Sequence, residues 1–135
     1  MQLTNRRVHL LGTVIDVSIY HKQPEPLLDQ VEALLNLYNK RFSANDDSSE
    51  LMKINKAAGL HPVKIHPELF ELISLGKWHS CQPGSHLNIA IGPLIQTWRI
   101  GFSDARLPFP EEITLLLDII NSNAIVLSEE NQSVF

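Results

Sequence analysis

Residues 87–102, LNIAIGPLIQTWRIGF, have the pattern of a strand, a turn and a helix. The run begins with apolar residues that predict a strand, turns at Gly92-Pro93, and continues at helical spacing through residues 94–98. A helix N-terminus that faces the end of a strand presents unpaired backbone N–H groups, which favour an anionic ligand. Locally, the pattern fits a packing corner and the edge of a binding site equally well.

The residues that precede this run predict a strand and a long helix. Residues 8–20, VHLLGTVIDVSIY, alternate apolar and polar side chains after Gly12, which predicts one strand with a buried face, entered or bent near that glycine. Pro24 and Pro26 then open a helix. Its apolar residues recur at helical spacing and are Leu27, Leu28, Val31, Leu34, Leu35 and Tyr38.

Shorter elements are predicted along the rest of the chain. Asp47 or Ser48 is expected to cap a helix that ends at Gly59, and HPVKI (residues 61–65) reads as a brief strand. The next helix opens near Pro67, and its predicted apolar side consists of Leu69, Leu72, Ile73 and Trp78. A loop over residues 102–108, a helix from about Pro110 to Ile120, and a strand, turn and strand over residues 123–135 complete the pattern.

Length and composition bound the class of protein. The 135 residues include 44% hydrophobic and 19% charged residues, a globular composition that supports one core and therefore a single domain over residues 1–135. The net charge is −4 and the 11 Lys and Arg residues are scattered, which argues against nucleic acid as a partner. No signal peptide, lipid-accepting cysteine or membrane span is evident, so the chain as written is expected to be cytoplasmic.

Local motifs give only a weak signal for chemistry. The six histidines lack the spacing of a metal site, and His61 and His66 could share a metal only if the fold brings them together. Asp46-Asp47 with Glu50 could hold a cation, although capping of the following helix explains these carboxylates better. Cys81 is the single cysteine and is expected to be a passive buried thiol.

Three blocks, taken together, resemble the ApbE family of FAD:protein FMN transferases, once described as thiamine biosynthesis lipoproteins. The blocks are LLGTVIDVSIY (10–20), RFSANDDSSELMKIN (41–55) and LNIAIGPLIQTWRIGFSDARLP (87–108), in the family's order and at about its spacing. The resemblance implies an α+β flavin transferase fold in which amphipathic helices pack on a sheet. It also implies Mg²⁺-dependent transfer of FMN from FAD to a Thr or Ser of a target flavoprotein.

The resemblance implies five cofactor-binding residues, each with a departure from the family pattern. The Met of the family's Met-Gly-Thr falls on Leu11, which keeps an apolar contact, and the aromatic residue of Phe-Ser-Thr-Tyr-Asp falls on Asn45, which removes a stacking surface. The family's Ala-Phe-Asp falls on His86, Leu87 and Asn88, where Asn88 brings no charge. No catalytic residue and no metal ligand is assigned within this chain.

The family pattern continues beyond these blocks with an Asp-Leu-Gly-Gly-x-Ala-Lys-Gly motif and an Asp-containing segment that ligates the metal. The chain is therefore expected to be an incomplete N-terminal portion of a longer ApbE-like domain, inactive alone. The alternative is a non-catalytic flavin-binding or structural module. Self-association through a sheet edge at Phe135 is a further expectation. Family members are often anchored to a membrane outside the cytoplasm.

Overall fold

The structure, a computed structural model, describes all residues from Met1 to Phe135. Helices and antiparallel strands form along the chain, which confirms the α+β class. The strands are β1 (Gln2–Leu10), β2 (Thr13–His21), β3 (Val63–Lys64), β4 (Leu127–Ser128) and β5 (Ser133–Val134). The helices are α1 (Glu25–Phe42), α2 (Glu50–Ala57), α3 (Pro67–Ser80), α4 (Gly92–Trp98) and α5 (Pro110–Leu117). None of these helices combines the length and the apolar character that a membrane crossing requires.

The chain divides into two compact units. The first contains residues 1–69 and Phe135, and the second contains residues 70–134. The division falls within α3, whose first turn belongs to the first unit. A single domain over residues 1–135 stays a prediction.

In the first unit, β1 and β2 form an antiparallel hairpin whose register runs from Gln2 opposite His21 to Leu10 opposite Thr13. The prediction of one strand over residues 8–20 is wrong, because Leu11 and Gly12 both have positive φ and reverse the chain between the two strands. The alternation predicted after Gly12 is confirmed. Ile15, Val17 and Ile19 are half-buried, whereas Val14, Asp16 and Ser18 are exposed.

Helix α1 packs against three other elements of the first unit. It begins after Pro24 and carries Pro26 in its first turn, as predicted. It packs against β1, β2 and α2, and Leu28 is only 1% exposed. Arg6 of β1 forms ion pairs with three carboxylates of α1, those of Glu25, Asp29 and Glu32. The buried apolar residues of this unit are Val8, Leu28, Ala57, Ile65 and Leu69.

Helices α2 and α3 differ in detail from their predicted forms. Ser49, rather than Asp47 or Ser48, is the N-cap of α2, because its hydroxyl is the one that accepts the Met52 N–H. Helix α3 begins at Pro67 as predicted. However, Leu72 and Trp78 of its predicted apolar side are exposed, which leaves a narrower buried stripe around Leu69 and Ile73.

In the second unit, α4 contacts α5, and β4 pairs antiparallel with β5. The strand, turn and strand predicted near the end of the sequence is therefore confirmed. Helix α5 ends at Leu117, before the predicted Ile120. Helix α4 ends at Trp98 because Arg99 adopts the left-handed conformation, with φ of 52°. Buried apolar side chains of this unit are Phe70 and Val134.

Candidate functional site

The turn between β1 and β2 carries Leu11, the first residue that the resemblance places against the flavin. Leu11 and Gly12 have φ of 56° and 74°, the combination of a two-residue type I′ hairpin turn. Such a turn matches the right-handed twist of the flanking strands, and glycine adopts its second position without steric cost. The Leu11 side chain is half-buried at the tip of the hairpin.

Asn39, near the C-terminus of α1, connects this turn to the loop before α2. Its side-chain Oδ1 accepts the Leu11 N–H at 2.8 Å, and its Nδ2 donates to Asp46 Oδ2 at 3.4 Å. Asn39 is half-buried, so both bonds are partly shielded from water. The turn therefore has a fixed partner on the helix as well as its strand pairing.

Asn45 lies against the same turn. An added Cβ at Gly12 would approach Asn45 Nδ2 to 2.5 Å, so the amide rests directly on the glycine. The Asn45 backbone N–H donates to Ser43 Oγ at 3.2 Å. The structure thus brings Leu11 and Asn45, which are separated by all of β2 and all of α1, to one place in the first unit.

Asp46 organises the loop that follows Asn45. Its Oδ1 accepts the Ser48 hydroxyl at 2.7 Å and the Ser48 N–H at 2.9 Å. These two hydrogen bonds from Ser48, with a smaller contribution from the charge of Lys40, lower the pKa of the Asp46 carboxyl. The hydrogen bonds thus favour the carboxylate form, whose Oδ2 accepts from Asn39.

A shallow, open depression of about 280 Å³ lies beside the turn. It is lined by His9, Leu10, Gly12, Thr13 and Val14. The depression is open to solvent and does not enclose a ligand.

The second unit carries the other predicted cofactor residues, and Asn88 is the most constrained of them. Its Nδ2 donates to the Ile120 carbonyl at 2.8 Å, and its Oδ1 accepts the Ser122 hydroxyl at 2.7 Å. The same Oδ1 accepts the Ala90 N–H at 2.8 Å. Asn88 therefore ties its own loop to residues 120–122.

These bonds explain a difference from the predicted backbone. Residues 87–91 form a loop with a turn, rather than the predicted strand, because the Asn88 side chain binds the backbone two residues further on and closes a local turn. His86 and Leu87 are exposed on this loop, and Leu87 has half of its surface accessible. Leu94 and Trp98 of the following helix are half-buried.

No group of three or more His, Cys, Asp or Glu residues could hold a metal ion. His61 and His66, which flank β3, each bond locally. His61 Nδ1 lies 3.2 Å from the Pro62 carbonyl, and His66 Nδ1 accepts the Glu68 N–H.

Comparison with known families decides how this arrangement is classified. The family model described as "ApbE family" matches residues 11–134, which is nearly the whole chain. This chain belongs to the ApbE family. The match begins at Leu11, so the hairpin turn and the 86–88 loop both lie within the family region of this ApbE chain.

Two curated relatives are named FAD:protein FMN transferase. The protein of Klebsiella pneumoniae (strain 342) is 36% identical over 126 residues, covering 93% of this ApbE chain and 40% of the relative. The protein of Treponema pallidum (strain Nichols) is 32% identical over 108 residues, covering 77% of this chain and 30% of the relative. The chain thus spans less than half the length of the curated relatives that it matches.

Solved structures share the fold of this ApbE chain. The crystal structure of the ApbE protein from Thermotoga maritima superposes with a TM-score of 0.87 at 20% identity, covering 99% of this chain and 44% of that one. The flavinyl transferase ApbE of Pseudomonas stutzeri gives a TM-score of 0.80 at 17% identity, over 98% and 43% of the two chains. These likenesses confirm the predicted ApbE-type fold.

Sequence reasoning missed two residues that organise the site regions. Asn39 follows Tyr38, the last residue of the apolar stripe of α1, and the stripe gives no reason to single it out. Ser122 lies in a polar run that has no periodic pattern. Neither contact is local, since Asn39 lies 28 residues from Leu11 and Ser122 lies 34 residues from Asn88. Their roles follow only from tertiary placement.

Proposed function

We propose that this chain supplies part of the FAD-binding surface of an FAD:protein FMN transferase. The observation that carries the proposal is the ApbE family match over residues 11–134, and the names of the two curated relatives support it. The residues proposed to face the cofactor are Leu11, Asn45, His86, Leu87 and Asn88. Leu11 offers an apolar contact to a flavin ring, and the amides of Asn45 and Asn88 offer hydrogen bonds.

The proposed reaction is a phosphoryl transfer. A Thr or Ser hydroxyl of the acceptor flavoprotein attacks the phosphorus of the FMN half of FAD and forms a new P–O bond. The pyrophosphate bond breaks, AMP leaves with the electron pair, and the hydroxyl proton is released to a base. The residues proposed here bind and orient the flavin, and none of them is assigned the proton.

Magnesium dependence belongs to the same proposal, but the residues of this chain do not fit a magnesium site. Mg²⁺ prefers several oxygen ligands in octahedral geometry, whereas no group of three or more His, Cys, Asp or Glu side chains in this chain could hold a metal ion. We therefore assign no ligand to the metal. The 135 residues alone are proposed to bind FAD without transferring FMN.

Two measurements test the proposed function. Titration of the chain with FAD, followed by flavin fluorescence, is expected to show saturable binding, and its absence would contradict the proposal. Incubation with FAD, Mg²⁺ and an acceptor flavoprotein is expected to give no fluorescent acceptor band on a denaturing gel. A covalently flavinylated band would show that these residues suffice for transfer.

The second candidate function is a non-catalytic flavin-binding or structural module. It is favoured by Asn45, which stands where the family pattern has an aromatic residue and whose amide rests on Gly12. The two functions differ when the unmatched part of the Klebsiella relative is added as a separate polypeptide. Restored flavinylation supports the transferase, whereas FAD binding without any transfer under these conditions supports the module.

A further inference from the structure

We infer that Asn39 is a positioning residue, which holds the Leu11-Gly12 turn against the loop that carries Asn45. The inference rests on the proposed function, in which FAD lies against Leu11 and Asn45. Asn39 itself does not line the depression beside the turn. Its role is to fix the relative position of two segments that contact the flavin.

The first observation is the conformation of Leu11. A leucine with φ of 56° occupies the left-handed region, which β-carbon crowding disfavours and which persists only where the surrounding structure imposes it. The Leu11 N–H points away from the strand ladder and donates to Asn39 Oδ1 at 2.8 Å. Asn39 therefore supplies a side-chain restraint on the strained residue.

The second observation is the other end of the same amide. Asn39 Nδ2 donates to Asp46 Oδ2, and the second oxygen of Asp46 is already held by Ser48. The Asp46 carbonyl also accepts the Ser49 N–H at 2.9 Å. The Asn39 amide thus bonds the turn through its oxygen, and through its nitrogen it bonds the loop that Asp46 holds.

The third observation is the small clearance between these two segments. An added Cβ at Gly12 would come within 2.5 Å of Asn45 Nδ2, so turn and loop are in direct contact. A shift of the turn would move Leu11 and change the contact between Gly12 and Asn45. A bridge that sets this distance consequently sets the shape of the flavin-facing surface.

The network allows a charge-conserving rescue. In Asn39→Ala both bonds are lost. In Asn39→Asp the acceptor for Leu11 is kept, but two carboxylates face each other across the former 3.4 Å contact. The double variant Asn39→Asp/Asp46→Asn exchanges donor and acceptor, so that every hydrogen bond of the network can form again. Asn36→Ala is the matched control, since Asn36 lies on the same helix and its exposed amide bonds only the Glu32 carbonyl.

Two readouts on the full chain test the inference. The first is hydrogen exchange of the Leu11 amide by NMR, which is expected to be about tenfold faster in Asn39→Ala. The second is the FAD dissociation constant, which is expected to rise about fivefold in Asn39→Ala and in Asn39→Asp, as for the loss of one hydrogen bond. The exchanged pair is expected to restore both values, and Asn36→Ala to change neither. Urea unfolding of each variant shows whether the chain is still folded under the assay conditions.

The outcomes separate the inference from the proposed function. If the wild-type chain does not bind FAD, the proposed function fails, and the positioning role fails with it. If the wild type binds FAD but Asn39→Ala binds equally well, the inference alone is overturned. Unchanged Leu11 exchange in Asn39→Ala, or no recovery in a folded exchanged pair, would also overturn it.

Discussion

Gly12 and Gly59 have nearly the same backbone conformation and quite different surroundings. Their φ angles are 74° and 73°, in the left-handed region where glycine avoids the crowding of a β-carbon. An added Cβ at Gly12 would meet Asn45 Nδ2 at 2.5 Å, whereas at Gly59 it would meet nothing within 4 Å. The two positions therefore separate the cost of backbone strain from the cost of a steric clash.

Gly12→Ala is expected to destabilise the chain more than Gly59→Ala. Both variants incur the left-handed penalty of about 1–2 kcal/mol, and Gly12→Ala must also displace the Asn45 amide. Urea unfolding curves of the two variants give the difference. Asn45→Ala combined with Gly12→Ala should bring the loss close to that of Gly59→Ala, whereas equal losses in the two single variants would show that Asn45 does not rest on Gly12.

At the level of elements, the start of α2 depends on a buried serine. Ser49 is fully buried, its hydroxyl accepts the Met52 N–H at 3.0 Å, and it donates to the Ser43 carbonyl at 2.6 Å. The single hydroxyl therefore satisfies a helix N–H and a carbonyl of the preceding loop. Ser48, which the sequence offered as the cap, bonds Asp46 instead and is exposed.

Ser49→Ala is expected to lower the free energy of unfolding by about 2 kcal/mol, since it removes an N-cap and leaves a buried carbonyl without its partner. Ser48→Ala is the matched control and should cost less than half as much, because its hydroxyl is solvated when unbonded. Chemical denaturation of both variants measures the two losses. A larger loss in Ser48→Ala would restore the cap predicted from the sequence.

The start of α5 is held by Glu112 in a similar way. Its carboxylate accepts the Phe109 N–H at 2.8 Å and forms two bonds with the Arg106 guanidinium, at 2.7 and 2.8 Å. The Arg106 bonds, followed by the Phe109 N–H, lower the pKa of Glu112 from 4.5 to about 2. The carboxylate thus joins the loop before α5 to its first turn.

The pH dependence of stability follows from the sign of this shift. Because the pKa of Glu112 is lower in the folded chain, its contribution is fully present above pH 4.5 and is lost as the pH falls towards 2. Glu112→Gln should therefore flatten the pH dependence of unfolding in this window, and Glu111→Gln, one residue earlier, should leave it unchanged. NMR titration of the Glu112 carboxyl carbon checks the cause, and a midpoint near 4.5 would contradict it.

At the scale of the molecule, the two fully buried leucines, Leu28 and Leu69, both lie in the first unit. Leu28 is only 1% exposed, although other leucines of that unit, such as Leu3 and Leu60, are exposed. In the second unit, several large apolar side chains are exposed, among them Leu107, Phe109, Leu115, Leu117 and Ile119. Helix α5 carries apolar residues on more than one face, a pattern typical of helices that are covered on several sides.

Leu28→Ala is expected to change mainly the free energy of unfolding, and Leu115→Gln mainly the binding of a hydrophobic dye. Leu28→Ala should cost about 2–5 kcal/mol through lost burial and a cavity. Leu115→Gln should change stability by less than about 0.5 kcal/mol and reduce binding of a hydrophobic fluorescent dye. Calorimetry and dye titration measure the two effects. A loss in Leu115→Gln comparable with that of Leu28→Ala would mean that the α5 surface is covered in solution.

The prediction of self-association through Phe135 is tested separately. Sedimentation of the wild-type chain over a range of concentrations should show a rising average mass if strand edges pair. A mass that stays monomeric at every concentration would remove this expectation.

The sequence by itself determined the elements whose signals are local. Pro24 and Pro26 with a periodic apolar stripe placed α1, Pro67 placed the start of α3, and the three ordered blocks identified the family. Local periodicity is sufficient to predict these elements, because the spacing of apolar residues shows which of them share one face of a helix or strand. The candidate site was predicted only as a set of separate positions, and the contacts of those positions with a flavin stay a prediction.

Tertiary structure decided the features that depend on hydrogen bonds to the backbone from other strands or from side chains. Leu11-Gly12 became a turn because β1 pairs with β2, although residues 2–7 carry mostly polar side chains that gave no strand signal. Asn88 converted a predicted strand into a loop, and Asn39 bound a turn 28 residues away. The physical reason is that a buried amide or N–H must find a partner wherever the fold provides one, and sequence spacing does not record where that is.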